Sequence, residues 1–240
     1  MAELYRLFTE ADFTETSKVT GSGQAQVWDG AALPYGAAKW TIANTNAVYA
    51  EATYSAPTAY HRLGFYLNAD GLTTTSGNVF NIMHVRSSSV HTDRLYEIRL
   101  YHHPSNGLSI GLLSYEEGAT NSISSYATIL SGVNWYEVLF TRSLGVGQAN
   151  ASVQMFTGQN LTQIISRTSF TNYTSFGLVT KISMGGIEGI DAGTTGTLTL
   201  GNIKITNDAN PIGPFLSYRH RPRPASIMKK RQRIKGHRCG

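Results

Sequence analysis

Cysteine is all but missing: the one present, Cys239, stands next to the C-terminus, so no disulfide can close within a chain. Folding is therefore expected in a reducing cytoplasm or without regard to redox state. Charge is scarce as well, at 15% Asp, Glu, Lys and Arg, where globular chains usually carry about a quarter. The surface must be made of Ser, Thr, Asn and Gln instead. No run of about eighteen apolar residues occurs, which excludes a membrane-spanning helix. Met1 to Arg6 offer no basic stretch leading into an apolar one, so export by a signal peptide is not expected, nor use of the sequons at Asn150, Asn160 and Asn172. A 3.6-residue apolar period is nearly absent over any helical length, and no helix is expected.

Acidic residues are missing altogether from Leu216 to Gly240, and that segment holds nine of the twenty Lys and Arg residues: Arg219, Arg221, Arg223, Lys229, Lys230, Arg231, Arg233, Lys235 and Arg238. The preceding 215 residues have eleven basic and fifteen acidic side chains, a net charge of −4. The basic character of the chain thus belongs to its tail. With Pro222 and Pro224 and few large apolar residues, the tail cannot bury enough surface to offset its ordering entropy and needs a partner. Two units follow: a body over 1–210 and, over 211–240, a Pro/Gly exit with an extended basic arm.

What the body has is alternation at period two. Leu63, Phe65 and Leu67 oppose Arg62, Tyr66 and Asn68; Tyr96, Ile98 and Leu100 oppose Glu97, Arg99 and Tyr101. A turn at Pro104-Ser105-Asn106-Gly107, whose Asn-Gly pair supplies positive φ, leads into Leu108, Ile110 and Leu112. Tyr136, Val138 and Phe140, then Ala151, Val153 and Met155, then Leu178, Thr180 and Ile182 continue the pattern, with Gly/Asn/Ser/Thr clusters between. Ala47–Tyr54 and Val79–Arg86 are apolar on parts of both faces, as central strands are. Leu198 and Leu200 are out of phase with Ile203 and Ile205, which predicts a β-bulge at Gly201-Asn202. About a dozen strands at spacings of roughly 10 to 18 residues predict an all-β, two-sheet antiparallel β-sandwich of the jelly-roll type.

Several segments together resemble the concanavalin-A-like, laminin-G-like jelly roll: 61–67, the hairpin 94–100 into 107–110, Asn134–Phe140 followed by Ala151–Phe156, and the closing strand Leu198–Asp208. The exit Thr206-Asn207-Asp208-Ala209-Asn210-Pro211-Ile212-Gly213-Pro214-Phe215 is similar to the way such sandwiches end in structural proteins of tailed bacteriophages. That resemblance implies a virion component assembled in the host cytoplasm and present in several copies.

β-Glucanases of the fold resemble one another in a Glu-x-Asp-x-x-Glu strand, whose alternating carboxylates face one cleft. The triplet is absent, Glu116-Glu117 and Glu188 with Asp191 read as solvated turn residues, and no catalysis is expected. His102 and His103 diverge on an extended segment, and His61, His84 and His91 have no Cys or carboxylate at a ligand interval; Asp70, Asp93 and Asp191 are isolated. No metal and no cofactor is expected. Tyr101, Tyr115, Tyr126 and Tyr173, near loops or strand ends, are the candidate platforms for host glycans, although tyrosine also suits sheet packing.

For the arm, docking on acidic surfaces of neighbouring virion proteins competes with contact to duplex nucleic acid and with a solvated tail. Single-strand stacking is disfavoured, because no aromatic residue follows Tyr218. The reading is a non-enzymatic capsid decoration, cement or tail-associated protein, homo-oligomeric, held by its arm and independent of membranes. The rival is a lectin-like adhesion module for host glycans.

Overall fold

The computed structural model describes residues 3–7, 9–33, 36–56, 60–87, 94–114, 122–129, 131–142, 149–172 and 179–214. Within them the strands are β1 (Glu3–Leu7), β2 (Ser17–Thr20), β3 (Ala25–Asp29), β4 (Ala37–Ile42), β5 (Val48–Ala56), β6 (Tyr60–Asn68), β7 (Leu72–Thr73), β8 (Val79–Ser87), β9 (Arg94–His103), β10 (Gly107–Ser114), β11 (Ser122–Thr128), β12 (Asn134–Arg142), β13 (Ala149–Thr157), β14 (Thr162–Asn172), β15 (Val179–Glu188) and β16 (Thr195–Thr206). One antiparallel sheet of nine strands runs β14-β13-β12-β6-β16-β4-β3, with β1 and β7 also on β16; the other has seven, β11-β10-β9-β8-β15-β5-β2. The expected two-sheet sandwich is present.

Period-two alternation fills the space between the sheets. Leu63, Phe65, Leu67, Val138 and Phe140 come from one side, and Phe80, Met83, Val85, Ile98, Leu100, Ile110 and Ile182 from the other, all with at most 1% exposure. Each such side chain contributes about 1.5–3 kcal/mol by leaving water. A polar bridge crosses the same space: His61 on β6 meets the Tyr54 hydroxyl at 2.6 Å and the Tyr96 hydroxyl at 2.9 Å. The bulge lies where the phase slip places it. Pairing of β16 with β6 shifts between Gly201 and Lys204, Asn202 takes φ 49°, and Leu198, Leu200, Ile203 and Ile205 are all fully buried. The β9–β10 hairpin turns as expected, with Gly107 at φ 70°.

Two expectations need correction. A helix does exist, the single turn α1 (Glu10–Thr14), built by a capping box in which the Thr9 side chain accepts from the Asp12 amide at 3.2 Å and Asp12 accepts from the Thr9 amide at 2.9 Å. One turn is too short to register as periodicity. The strands number sixteen among the described residues rather than a dozen. The additional ones include short edge pieces such as β2, exposed throughout and therefore without an apolar rhythm.

The nine-stranded sheet is covered on the side away from the core by the chain's own exit. Glu137 of β12, wholly buried, accepts hydrogen bonds from Arg62 Nε at 2.5 Å, Trp135 Nε1 at 3.1 Å and the backbone amides of Ile212 at 3.2 Å and Gly213 at 2.5 Å. Arg62 Nη1 in turn donates to the Ala209 carbonyl at 2.7 Å. Residues 209–213 are thus strapped down, which is why Arg62, expected on a half-solvated face, is 3% exposed.

Candidate functional site

On the seven-stranded sheet, residues alternating with the core set point outward, and the register aligns them in two rows. Glu51, Ser183, His84 and Glu97 are successive cross-strand partners over β5, β15, β8 and β9. Glu188, Asn81, Arg99, Gly111 and Tyr126 form the next row over β15, β8, β9, β10 and β11.

These side chains form two hydrogen-bonded clusters, one around Glu97 and Glu188 and one around Glu51, with His84 between them. Arg94 bridges Glu97 and Glu188: its Nη1 bonds Oε1 of Glu97 and lies 2.6 Å from Oε1 of Glu188, while its Nη2 reaches Oε2 of Glu188 at 3.0 Å. Arg99 grips the other oxygen of Glu97 through Nε at 3.1 Å and Nη2 at 2.8 Å. Asn81 Nδ2 donates to Glu188 at 2.8 Å. At the far end Glu51 is held by Arg86, by Lys181 Nζ at 2.9 Å and by the Ser183 hydroxyl at 3.1 Å. Burial works to raise the carboxyls of Glu51 and Glu188, but their hydrogen bonds to Lys181 and Arg94 and the surrounding cations hold both below the usual value. His84 Nε2 lies 3.3 Å from Glu97 Oε1 and 3.9 Å from Glu188 Oε1. Burial pushes its imidazole down to about 4, with Arg94 and Arg86 reinforcing and Glu97 and Glu188 opposing, so it is neutral near pH 7.

An aromatic end adjoins the charged one. Tyr101 and Tyr126, both half-buried, have ring centroids 4.8 Å apart at 40°. Tyr126 lies across Gly111, where a Cβ would stand 2.2 Å from its ring, so the platform depends on that glycine. Burial and the neighbouring Tyr101 raise the Tyr126 phenol against the pull of Arg99, keeping it protonated. A cleft of about 260 Å³ opens at the Glu188 end of the row, between Val79, Asn81, Arg99, Glu188 and Gly189.

Of the tyrosines picked from sequence, Tyr101 and Tyr126 are brought together here, whereas Tyr115 and Tyr173 lie outside the described residues. So do Glu116, Glu117, His91, Asp93 and the whole arm with Arg219, Arg221, Arg223, Lys229, Lys230, Arg231, Arg233, Lys235 and Arg238. Glu188 is no solvated turn residue but the end of β15, locked to Arg94; Asp191 is a turn residue, bonded to the Thr194 hydroxyl at 2.6 Å. His84 has carboxylate neighbours after all, from other strands, which no spacing along the chain could disclose. His103 accepts the amides of Ser105 and Asn106 at the hairpin tip, and His102 meets the Thr74 carbonyl.

No protein-family model matches the chain, and no curated protein matches its sequence. Solved structures do match. The globular domain of T. cruzi calreticulin is 8% identical over 86% of this chain and 89% of its own, with a TM-score of 0.59. Alginate lyase vAL-1 from Chlorella virus is 8% identical over 86% of this chain and 100% of its own, TM-score 0.54. A chain of botulinum neurotoxin type C is 10% identical over 87% of this chain and 49% of its own, TM-score 0.52. The expectation of no catalysis is corrected by this likeness: an alginate lyase shares the fold along its whole length, so a missing glucanase triplet does not separate enzymes from non-enzymes here. The carboxylates of Glu97 and Glu188, moreover, converge from separate strands with oxygens within 4.8 Å. At these identities the likeness is one of fold, and the fold is the concanavalin-A-like jelly-roll β-sandwich.

Proposed function

We propose that the protein binds a carbohydrate chain along the outer face of its seven-stranded sheet. The observation that carries this reading is the row Glu188–Asn81–Arg99–Gly111–Tyr126, in which planar hydrogen-bonding groups run directly into the paired rings of Tyr126 and Tyr101. A sugar has vicinal hydroxyls that suit carboxylate, amide and guanidinium groups, and an apolar C–H face that suits an aromatic ring. The test is a glycan array of neutral and acidic oligosaccharides probed with the full chain. Binding is expected, and Tyr101→Ala and Tyr126→Ala should each weaken it roughly 30-fold, as loss of an aromatic anchor does. Gly111→Ala should do likewise by pushing Tyr126 aside. A wild-type chain that binds no glycan overturns the reading.

A second reading is supported by the convergence of Glu97 and Glu188, whose oxygens lie within 4.8 Å of each other, since retaining glycosidases work with a pair of closely set carboxyls. In it Glu188, 45% exposed, is the carboxyl that meets substrate. Shortening of a bound polysaccharide, lost in Glu188→Gln, identifies it.

The arm is assigned to anchorage on acidic surfaces of neighbouring subunits, and the virion remains the setting proposed for it. Its charge of nine basic and no acidic side chains supports this. Deleting Leu216–Gly240 spares the strap, so the sandwich should fold normally and fail to enter particles. Normal incorporation refutes the assignment, and a steep salt dependence of DNA binding that disappears with the arm replaces it by nucleic-acid contact.

A further inference from the structure

We propose that His84, Glu97 and Glu188 form a binding site for one divalent transition-metal ion of the zinc class, which competes with the Arg94 guanidinium for the same two carboxylate oxygens. The three donors come from the adjacent strands β8, β9 and β15, and their ligand atoms lie within 4.8 Å of one another. His84 Nε2 stands 3.3 Å from Glu97 Oε1 and 3.9 Å from Glu188 Oε1. Ligands about 2.1 Å from a tetrahedral ion are separated by about 3.4 Å, so the imidazole is already near the required distance from both oxygens.

The second observation is the state of that imidazole. His84 is 3% exposed, and its Nε2 makes no hydrogen bond, although two carboxylate oxygens lie 3.3 and 3.9 Å away. A buried polar atom left so costs about 1–3 kcal/mol, and a coordinated ion would satisfy it. The surroundings already orient the donors. Arg99 holds Oε2 of Glu97, leaving Oε1 for the site, and the cross-strand register fixes His84 opposite Glu97. Arg94 demonstrates that the position favours positive charge, because one of its nitrogens bonds both oxygens. It is the first residue of β9 and 21% exposed, so its side chain can turn to solvent while the ladder stays intact. One imidazole and two carboxylates suit Zn²⁺, Co²⁺ or Mn²⁺; calcium and magnesium prefer all-oxygen sets. The cleft beside Glu188 leaves room for a further ligand.

The test is Zn²⁺ titration of the full chain against a chromophoric chelator, in a Cys239→Ser background so that no thiol contributes. One equivalent of Zn²⁺ is expected to bind, to be lost in Glu188→Gln and His84→Gln, and to bind roughly tenfold tighter in Arg94→Ala, a gain of about 1.4 kcal/mol. Glu188 is 45% exposed, so its variant reports even if the His84 variant folds poorly. Unchanged stoichiometry in Glu188→Gln, or no tightening in Arg94→Ala, overturns the proposal. The glycan reading stands or falls separately, on Tyr101 and Tyr126.

Discussion

Replacing Glu137 with alanine is expected to lower the stability of the sandwich by about 3–5 kcal/mol, the cost of leaving a buried charge without its partner. Arg62 has a side chain 4% exposed, and its guanidinium would lose the carboxylate 2.5 Å away. The amides of Ile212 and Gly213 and the Trp135 indole would lose their acceptor at the same time. The double variant Arg62→Met/Glu137→Leu separates these contributions. With both charges gone the desolvation penalty vanishes and much of the stability should return, but the strap over 209–213 still has nothing to hold it. Denaturant titration should therefore place the double variant near wild type, while hydrogen exchange at Ile212 and Gly213 stays fast. A Glu137→Ala protein within about 1 kcal/mol of wild type would mean that the pair is far less buried than its geometry implies.

The row from Glu188 to Tyr126 and the strapped exit over 209–213 lie on opposite outer faces, one on the seven-stranded and the other on the nine-stranded sheet.

How far the sequence discloses this depends on the range of each signal. Alternation at Leu63, Phe65 and Leu67 or at Tyr96, Ile98 and Leu100 is local, and it identifies strands and a sandwich directly. The phase slip before Ile203 is local too, and it locates the bulge at Asn202. The same alternation marks Glu97, Arg99 and Tyr101 as one outward face. It does not say which strand lies beside β9, and the site consists of that adjacency: His84 from β8, Glu188 from β15, Tyr126 from β11. Two of the four chosen tyrosines meet because Gly111, unremarkable in sequence, clears the space between them. Arg62 reads in sequence as a residue of the face opposite Leu63 and Phe65, and its burial with Glu137 is not legible there, since the segment that covers them returns from some 147 and seventy-five positions away.

Acidification should weaken the fold through His84, by about 3 kcal/mol between pH 6.5 and pH 4. In the unfolded chain this imidazole takes up its proton near 6.5; in the folded protein burial delays uptake to about 4. Across that window the unfolded state binds more protons, so stability falls as pH falls, and below about 4 the loss from this group is complete. Each unit of difference is worth about 1.4 kcal/mol. At 3% exposure there is little solvent to dilute the effect. The facing groups set its size: Glu97 on β9 and Glu188 on β15 favour the imidazolium, while Arg94 on β9 and Arg86 on β8 itself oppose it. Glu51 and Glu188, whose carboxyls are held below their usual 4.5, add a loss in the same direction only under that value. Denaturant unfolding with a chelator present, compared between wild type and His84→Gln from pH 7 to 4.5, isolates the imidazole. The variant should have a nearly flat profile where wild type slopes. Equal slopes in both proteins would move the acid sensitivity to a different group and leave the Arg94–Glu97–Arg99 cluster indifferent to its histidine neighbour.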